Sequence, residues 1–205
     1  KKEITFTIDK SAPQIGDLEQ YDRKYLSDFS WNQGINESVK DLTVVESHVY
    51  LNGEEKVGNF TIEEDGKYVL EWVAIDQLNH ESKKKVEFIV DKTAPEITAF
   101  IETDKQERIS LEKNTNVYEG GTINVSLADK DDWIKQVRFN GNDMTLEESQ
   151  NQYALPIKEM GTYSLEIHAV DFAGNESIFQ TEVKYEEKPS KVLKIVIPVG
   201  IIMVP

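Results

Sequence analysis

Apolar and polar residues alternate one by one through several stretches of this chain. That period of two places every second side chain on the same face of an extended strand. In Tyr163-Ser164-Leu165-Glu166-Ile167-His168-Ala169 the apolar set is Tyr163, Leu165, Ile167 and Ala169, and Tyr68, Leu70, Trp72 and Ala74 repeat it in the first half. Val86 to Val90, Thr122 to Ala128, Trp133 to Phe139 and Ile178 to Tyr185 are further β-branched or aromatic runs, bounded by Gly, Asn and Asp clusters. No long stripe of 3.6-residue period competes; the nearest, Asp17 to Leu26, is short and polar. The pattern predicts an all-β protein of many short strands, as in a β-sandwich.

The pattern also repeats. ITFTIDKSAPQI from Ile4 to Ile15 returns as VEFIVDKTAPEI from Val86 to Ile97, 82 residues later. GKYVLEWVAIDQLNHES from Gly66 returns as GTYSLEIHAVDFAGNES from Gly161, at an offset of 95. Leu51-Asn52-Gly53 matches Phe139-Asn140-Gly141 at an offset of 88. Unequal offsets imply one scaffold carried twice with loops of different length. Domain boundaries fall near Asp9 and Asp91: residues 1–91 form a first domain, 92–187 a second, and 188–205 a separate tail. Lys1 leads straight into strand-like alternation, so Ile4 to Asp9 reads as a strand derived from, or paired with, a preceding repeat.

Turn residues support the division. Asn52-Gly53 and Asn140-Gly141 supply the two φ > 0 positions of a tight hairpin. Pro13 and Pro95 hold the preceding alanine extended and offer no ladder donor, which suits the point where one domain's last strand passes into the next domain.

Asp9 to Pro13, Asp91 to Pro95, and Glu159-x-Gly161-x-Tyr163 leading to Ala169-Val170-Asp171-Phe172-Ala173-Gly174-Asn175 resemble the repeat signature of bacterial Ig-like domains. Such domains stand in tandem on large cell-surface and adhesin-type proteins. The resemblance covers residues 1 to about 187 and implies two tandem Ig-like antiparallel β-sandwiches, extracellular, at a bacterial surface. Tyr68 and Tyr163, two residues after Gly66 and Gly161, stand where such sandwiches carry a tyrosine corner, a hydroxyl bonded back to nearby backbone. An ordinary core tyrosine is the alternative. The first copy departs from the signature: Asp76-Gln77-Leu78-Asn79-His80 replaces Asp171 to Asn175, implying loss of the Gly-Asn turn. Residues 16 to 42 have no visible counterpart.

Composition narrows the functional classes. The 205 residues carry 23 Lys and Arg against 38 Asp and Glu, a net charge of −15, and no cysteine. Repulsion from phosphate argues against nucleic acid as a partner, and disulfide, thiolate-metal and Cys-nucleophile chemistry is absent. Residues 1–91 carry −8, 92–187 carry −10, and 188–205 carry +3. In that tail an apolar run from Leu193 to Pro205, shorter than the roughly 20 residues of a membrane-spanning helix, reads as the opening of a membrane anchor, an added edge strand, or a disordered end.

The strongest site candidate is acidic. In an Ig-like sandwich the loops carrying Asp91, Asp129 to Asp132, and Asp171 with Asn175 lie at one end. Asp91, Asp129, Asp131, Asp171 and Asn175 offer the oxygen ligands that Ca²⁺ prefers, and the resemblance implies such binding at domain junctions. The alternative is that Asp and Asn serve as turn formers bonded to their own backbone. Catalytic signatures are missing: His48, His80 and His168 belong to no metal-binding helix, and Ser82-x-x-Lys85 lies before a strand rather than on a helix. Tyr25, Phe29 and Trp31 are either an exposed binding patch or core residues. The expected role is non-catalytic: a stalk repeat that spaces or displays a binding region, its partners the neighbouring Ig-like repeats and, through the tail, a membrane. The alternatives are an adhesive module recognising host protein or glycan, and an accessory domain of a secreted hydrolase.

Overall fold

The computed structural model describes residues 2–32, 38–43, 45–147 and 151–189; the apolar run from Leu193 lies outside them. Residues 14–90 contain β1 (Gln14–Ile15), β2 (Tyr25–Leu26), β3 (Ser30–Trp31), β4 (Val39–Lys40), β5 (Val45–Leu51), β6 (Glu54–Lys56), β7 (Phe60–Thr61), β8 (Gly66–Asp76) and β9 (Glu81–Val90). Residues 97–185 contain β10 (Ile97–Thr103), β11 (Arg108–Ser110), β12 (Asn114–Val117), β13 (Gly121–Leu127), β14 (Trp133–Phe139), β15 (Asn142–Asp143), β16 (Gln152–Ile157), β17 (Gly161–Val170) and β18 (Glu176–Tyr185). The stretch Asp17 to Leu26 holds a single 3₁₀ turn, Glu19–Tyr21.

In the second half, a sheet ordered β11-β10-β13-β16 faces one ordered β12-β18-β17-β14-β15. Ala99, Ile101, Ile123, Val125, Leu155 and Ile157 from the first sheet meet Ile134, Val137, Leu165, Ile167, Ala169 and Val183 from the second. The first half repeats the larger sheet as β2-β9-β8-β5-β6, but its opposite layer is broken into the pairs β3-β7 and β1-β4. Phe29, Trp31 and Phe60 fill that thinner layer. Phe29 and Trp31 are buried, and Trp31 meets Trp72 edge-on at 5.6 Å. Of the two alternatives for Tyr25, Phe29 and Trp31, core packing holds for Phe29 and Trp31, and Tyr25 is exposed.

Two further expectations need correction. The sandwiches are not wholly antiparallel: β2 runs parallel to β9, and β12 parallel to β18. Residues 16 to 42 do have a counterpart. Leu26 lies opposite Val90 as Val117 lies opposite Tyr185, and Trp31 pairs toward β7 as Ile123 pairs toward β16. These strands are too short in the first half to leave a recognisable pattern.

Both Asn-Gly hairpins take the expected form, with φ of 51° and 83° at Asn52-Gly53 and 50° and 77° at Asn140-Gly141. Asn52 Oδ1 accepts from Val69 N, and Asn140 Oδ1 from Ser164 N, pinning each hairpin to the next long strand. The tyrosines close matching corners: Tyr68 Oη donates to Glu64 O at 2.8 Å, and Tyr163 Oη to Glu159 O at 2.6 Å.

Candidate functional site

The long hairpins β8-β9 and β17-β18 both turn on a buried aspartate. Asp171 Oδ1 accepts from Asn175 N at 2.9 Å and Oδ2 from Asn175 Nδ2 at 2.8 Å, while Gly174 N donates to Asp171 O. Asp76 does the same work: Oδ1 accepts from Leu78 N and His80 N, and Oδ2 meets His80 Nδ1 at 2.7 Å. The turn expected to be lost in the first copy is present. Asn79, with φ of 65°, takes the position of Gly174, with φ of 87°; asparagine tolerates this left-handed region better than most residues. His80 replaces Asn175 as the residue whose backbone N–H and side chain both bind the aspartate carboxylate.

A second aspartate stands beside each turn. Asp9 Oδ1 accepts from Ser11 N and Oγ, and its other oxygen from the Thr43 hydroxyl. Ser11, backbone first and then side chain, lowers the Asp9 pKa, with Thr43 and Asp41 assisting against burial. Burial pulls Asp76 upward, but the donors of His80 and Leu78 outweigh it and leave the pKa below the ordinary value. Among the described residues, Asp9, Asp76 and His80 are the three side chains whose ligand atoms all lie within 4.8 Å of one another. The offsets of 82 and 95 align them with Asp91, Asp171 and Asn175, a correspondence readable in the sequence once both offsets are applied together.

The corresponding end of the second sandwich is more acidic. Asp129 Oδ1 accepts from Asp131 N, as Asp41 Oδ2 accepts from Thr43 N. Asp132 is raised to about 6 by burial first and then by the charges of Asp129, Asp171, Asp91 and Asp131. The expected ligands Asp91, Asp129, Asp131 and Asp171 thus act on one point, yet no three of their carboxylates come within 4.8 Å of one another. Oxygens bound to Ca²⁺ sit about 2.3–2.6 Å from it and so lie within roughly 5 Å of each other. The acids are gathered around Asp132.

This end abuts the segment between the two halves. Asn175 Nδ2 also donates to Asp91 O at 2.7 Å. From the other side, Asp65 accepts from Lys92 N at 2.8 Å and from Thr93 Oγ1 at 2.6 Å. Phe172 lies between Tyr25 and Trp133, with centroids 5.4 and 5.1 Å away. The buried Pro95 follows, as the buried Pro13 follows Asp9.

The histidines are engaged with carboxylates rather than nucleophiles: His48 with Glu55 at 2.6 Å, His80 with Asp76, and His168 with Glu166 at 3.1 Å. Ser82 and Lys85 fall on β9, where Lys85 pairs with Glu71 and Ser82 with Ala74 in the backbone register. No helix among the described residues is long and apolar enough to cross a membrane.

No family model matches the chain, and no curated protein matches it. Among solved structures, the fibronectin(III)-like modules of Clostridium thermocellum CbhA are similar over 85% of this chain and 94% of theirs, at 16% identity and a TM-score of 0.42. SGBP-B of the Bacteroides ovatus mixed-linkage glucan utilization locus, in complex with a mixed-linkage heptasaccharide, is similar over 88% of this chain and 72% of its own, at 8% identity and 0.32. A chimeric titin Z1Z2 tandem is similar over 85% and 99%, at 13% identity and 0.28. All three scores are low.

Proposed function

We propose that the chain is a non-catalytic length of a tandem, extracellular bacterial surface protein, its domains 1–91 and 92–187 acting to space and present a binding region. The observation that carries this reading is the junction: Asp65 of the first sandwich and Asn175 of the second both hold the linker, at Lys92-Thr93 and Asp91. A linker bonded from both sides sets a preferred angle between modules, whereas a free one leaves them to rotate independently. Small-angle scattering tests this. A narrow distribution of interdomain distances in the wild type, broadened by Asp65→Ala with Asn175→Ala, supports the spacer; an equally broad distribution in both removes it.

A second reading concerns the acidic end, where Asp91, Asp129, Asp131, Asp171 and Asn175 would bind Ca²⁺. The crowding of like charge on Asp132 supports it, because a cation would relieve that repulsion. Binding restricted to the native state raises the melting midpoint. A higher midpoint in Ca²⁺ than in EDTA supports the site, and equal midpoints eliminate it.

A further inference from the structure

Ile4, Phe6 and Ile8 are exposed by 83%, 75% and 64%. Three large apolar side chains at a spacing of two make the pattern of a strand with one buried face, yet residues 2–10 pair with no strand among the described residues. Their counterparts 82 positions on are Val86, Phe88 and Val90, which are 4%, 2% and 0% exposed and form part of the first core. The correspondence continues beyond the strand. Asp9 takes Ser11 N in the turn that Asp91 makes with Thr93 N, both at 3.1 Å, and Pro13 is buried like Pro95. Ile4 to Ile8 thus carries the inward face of β9 and leads into the same turn, but no strand among the described residues pairs with it.

We infer that Ile4 to Ile8 is the closing strand of a further sandwich of this repeat, on the N-terminal side, and that it is buried there as β9 is buried here. The inference rests on the tandem reading above and names the partner surface. In β8-β9, Leu70 lies opposite Val86, Tyr68 opposite Phe88 and Gly66 opposite Val90. The partner strand is therefore a Gly-x-Tyr-x-Leu segment: its Leu opposite Ile4, its corner Tyr opposite Phe6 and its Gly opposite Ile8. A short strand runs parallel on the other side, as β2 does beside Ile89 and Val90. A second copy of this chain is a poor partner, because β9 and β18 already fill that position in its two sandwiches. Edge-strand addition of this kind uses main-chain bonds for affinity and alternate side chains for fit.

A duplication tests the inference. Residues 10–82 are fused directly to residues 1–187, so that Ser82 runs into Lys1 as it natively runs into Lys83 and Ile4 to Ile8 is the only closing strand available to the added unit. A control fusion, 10–91 joined to 10–187, keeps the native β9 in the added unit. Expected are a third folded unit in both fusions, with amides of Ile4 to Ile8 protected from hydrogen exchange in the first. Phe6→Asp should then unfold only the added unit and red-shift its tryptophan emission, while leaving the melt of the 205-residue chain unchanged. If the control folds and the first fusion leaves Ile4 to Ile8 exchanging freely, the inference is overturned and the tandem reading stands. If the control also fails to fold its added unit, the modular reading falls and takes this inference with it.

Discussion

The Thr93 hydroxyl donates to the Asp65 carboxylate at 2.6 Å, joining the loop before β8 to the first residues beyond β9. Thr93 first, and then the Lys92 backbone, lowers the Asp65 pKa. Because the folded pKa lies below the unfolded value, this contribution is present at neutral pH and lost as the pH falls through the folded value. Thr93→Val should broaden the interdomain distance distribution at pH 7. The difference from wild type should shrink as the pH falls through the folded value, provided circular dichroism shows that both remain folded.

The two corner tyrosines offer a matched pair. Tyr68→Phe and Tyr163→Phe each remove one hydrogen bond to a backbone carbonyl four residues upstream without altering ring packing. Each should cost about 0.5–1.5 kcal/mol of its own sandwich's stability, measured by urea unfolding. A cost near zero for both would identify these residues as simple core rings.

Asp132 runs against the other acids. Burial and four neighbouring carboxylates raise its folded pKa to about 6, so its ionised form penalises the native state. The penalty is in full force above about pH 6 and fades as the pH falls toward the unfolded value near 4. Asp132→Asn should stabilise the protein at pH 8 by about 1–2 kcal/mol, after allowance for solvent screening, and have little effect at pH 4. A stability gain independent of pH would refute this electrostatic account.

Trp31 distinguishes core from surface. It is buried against Trp72 and Phe60, so Trp31→Ala should destabilise the first sandwich by about 3–5 kcal/mol while the second keeps its own transition. Calorimetry reads both transitions. Tyr25→Ala, at an exposed ring touching Phe172, should leave both melts nearly unchanged.

Long strands were legible in the sequence because alternation persisted over enough residues to define a face; β8, β17 and the Asn-Gly hairpins are of this kind. The broken layer of the first sandwich was not. Its strands β3 and β7 are two residues long, too short for alternation to define a layer, although Phe29 and Trp31 read as core candidates and are buried. The turn at Asp76 is hidden in the sequence for a different reason. A Gly-Asn signature is one solution to a backbone requirement, and Asn79 with His80 is another, recognisable only by the hydrogen bonds it makes. At the acidic end the loops had to be folded before the repulsion at Asp132 became visible, since its neighbours Asp91 and Asp171 are distant in sequence.

The parallel pairing of β12 with β18 has a consequence for a chain under tension. β18 closes the second sandwich's sequence whereas β12 follows β10 and β11, so once those two strands are drawn away, tension between β12 and β18 slides one strand along the other and loads the four register pairs from Asn114 with Glu182 to Val117 with Tyr185 together. Peeling would break them one after another. Among the described residues the first sandwich has two such pairs, Tyr25 with Ile89 and Leu26 with Val90. Forced unfolding is governed by the rate over the barrier rather than by equilibrium stability. The first sandwich should therefore yield at the lower force, serving as a shock absorber ahead of its neighbour.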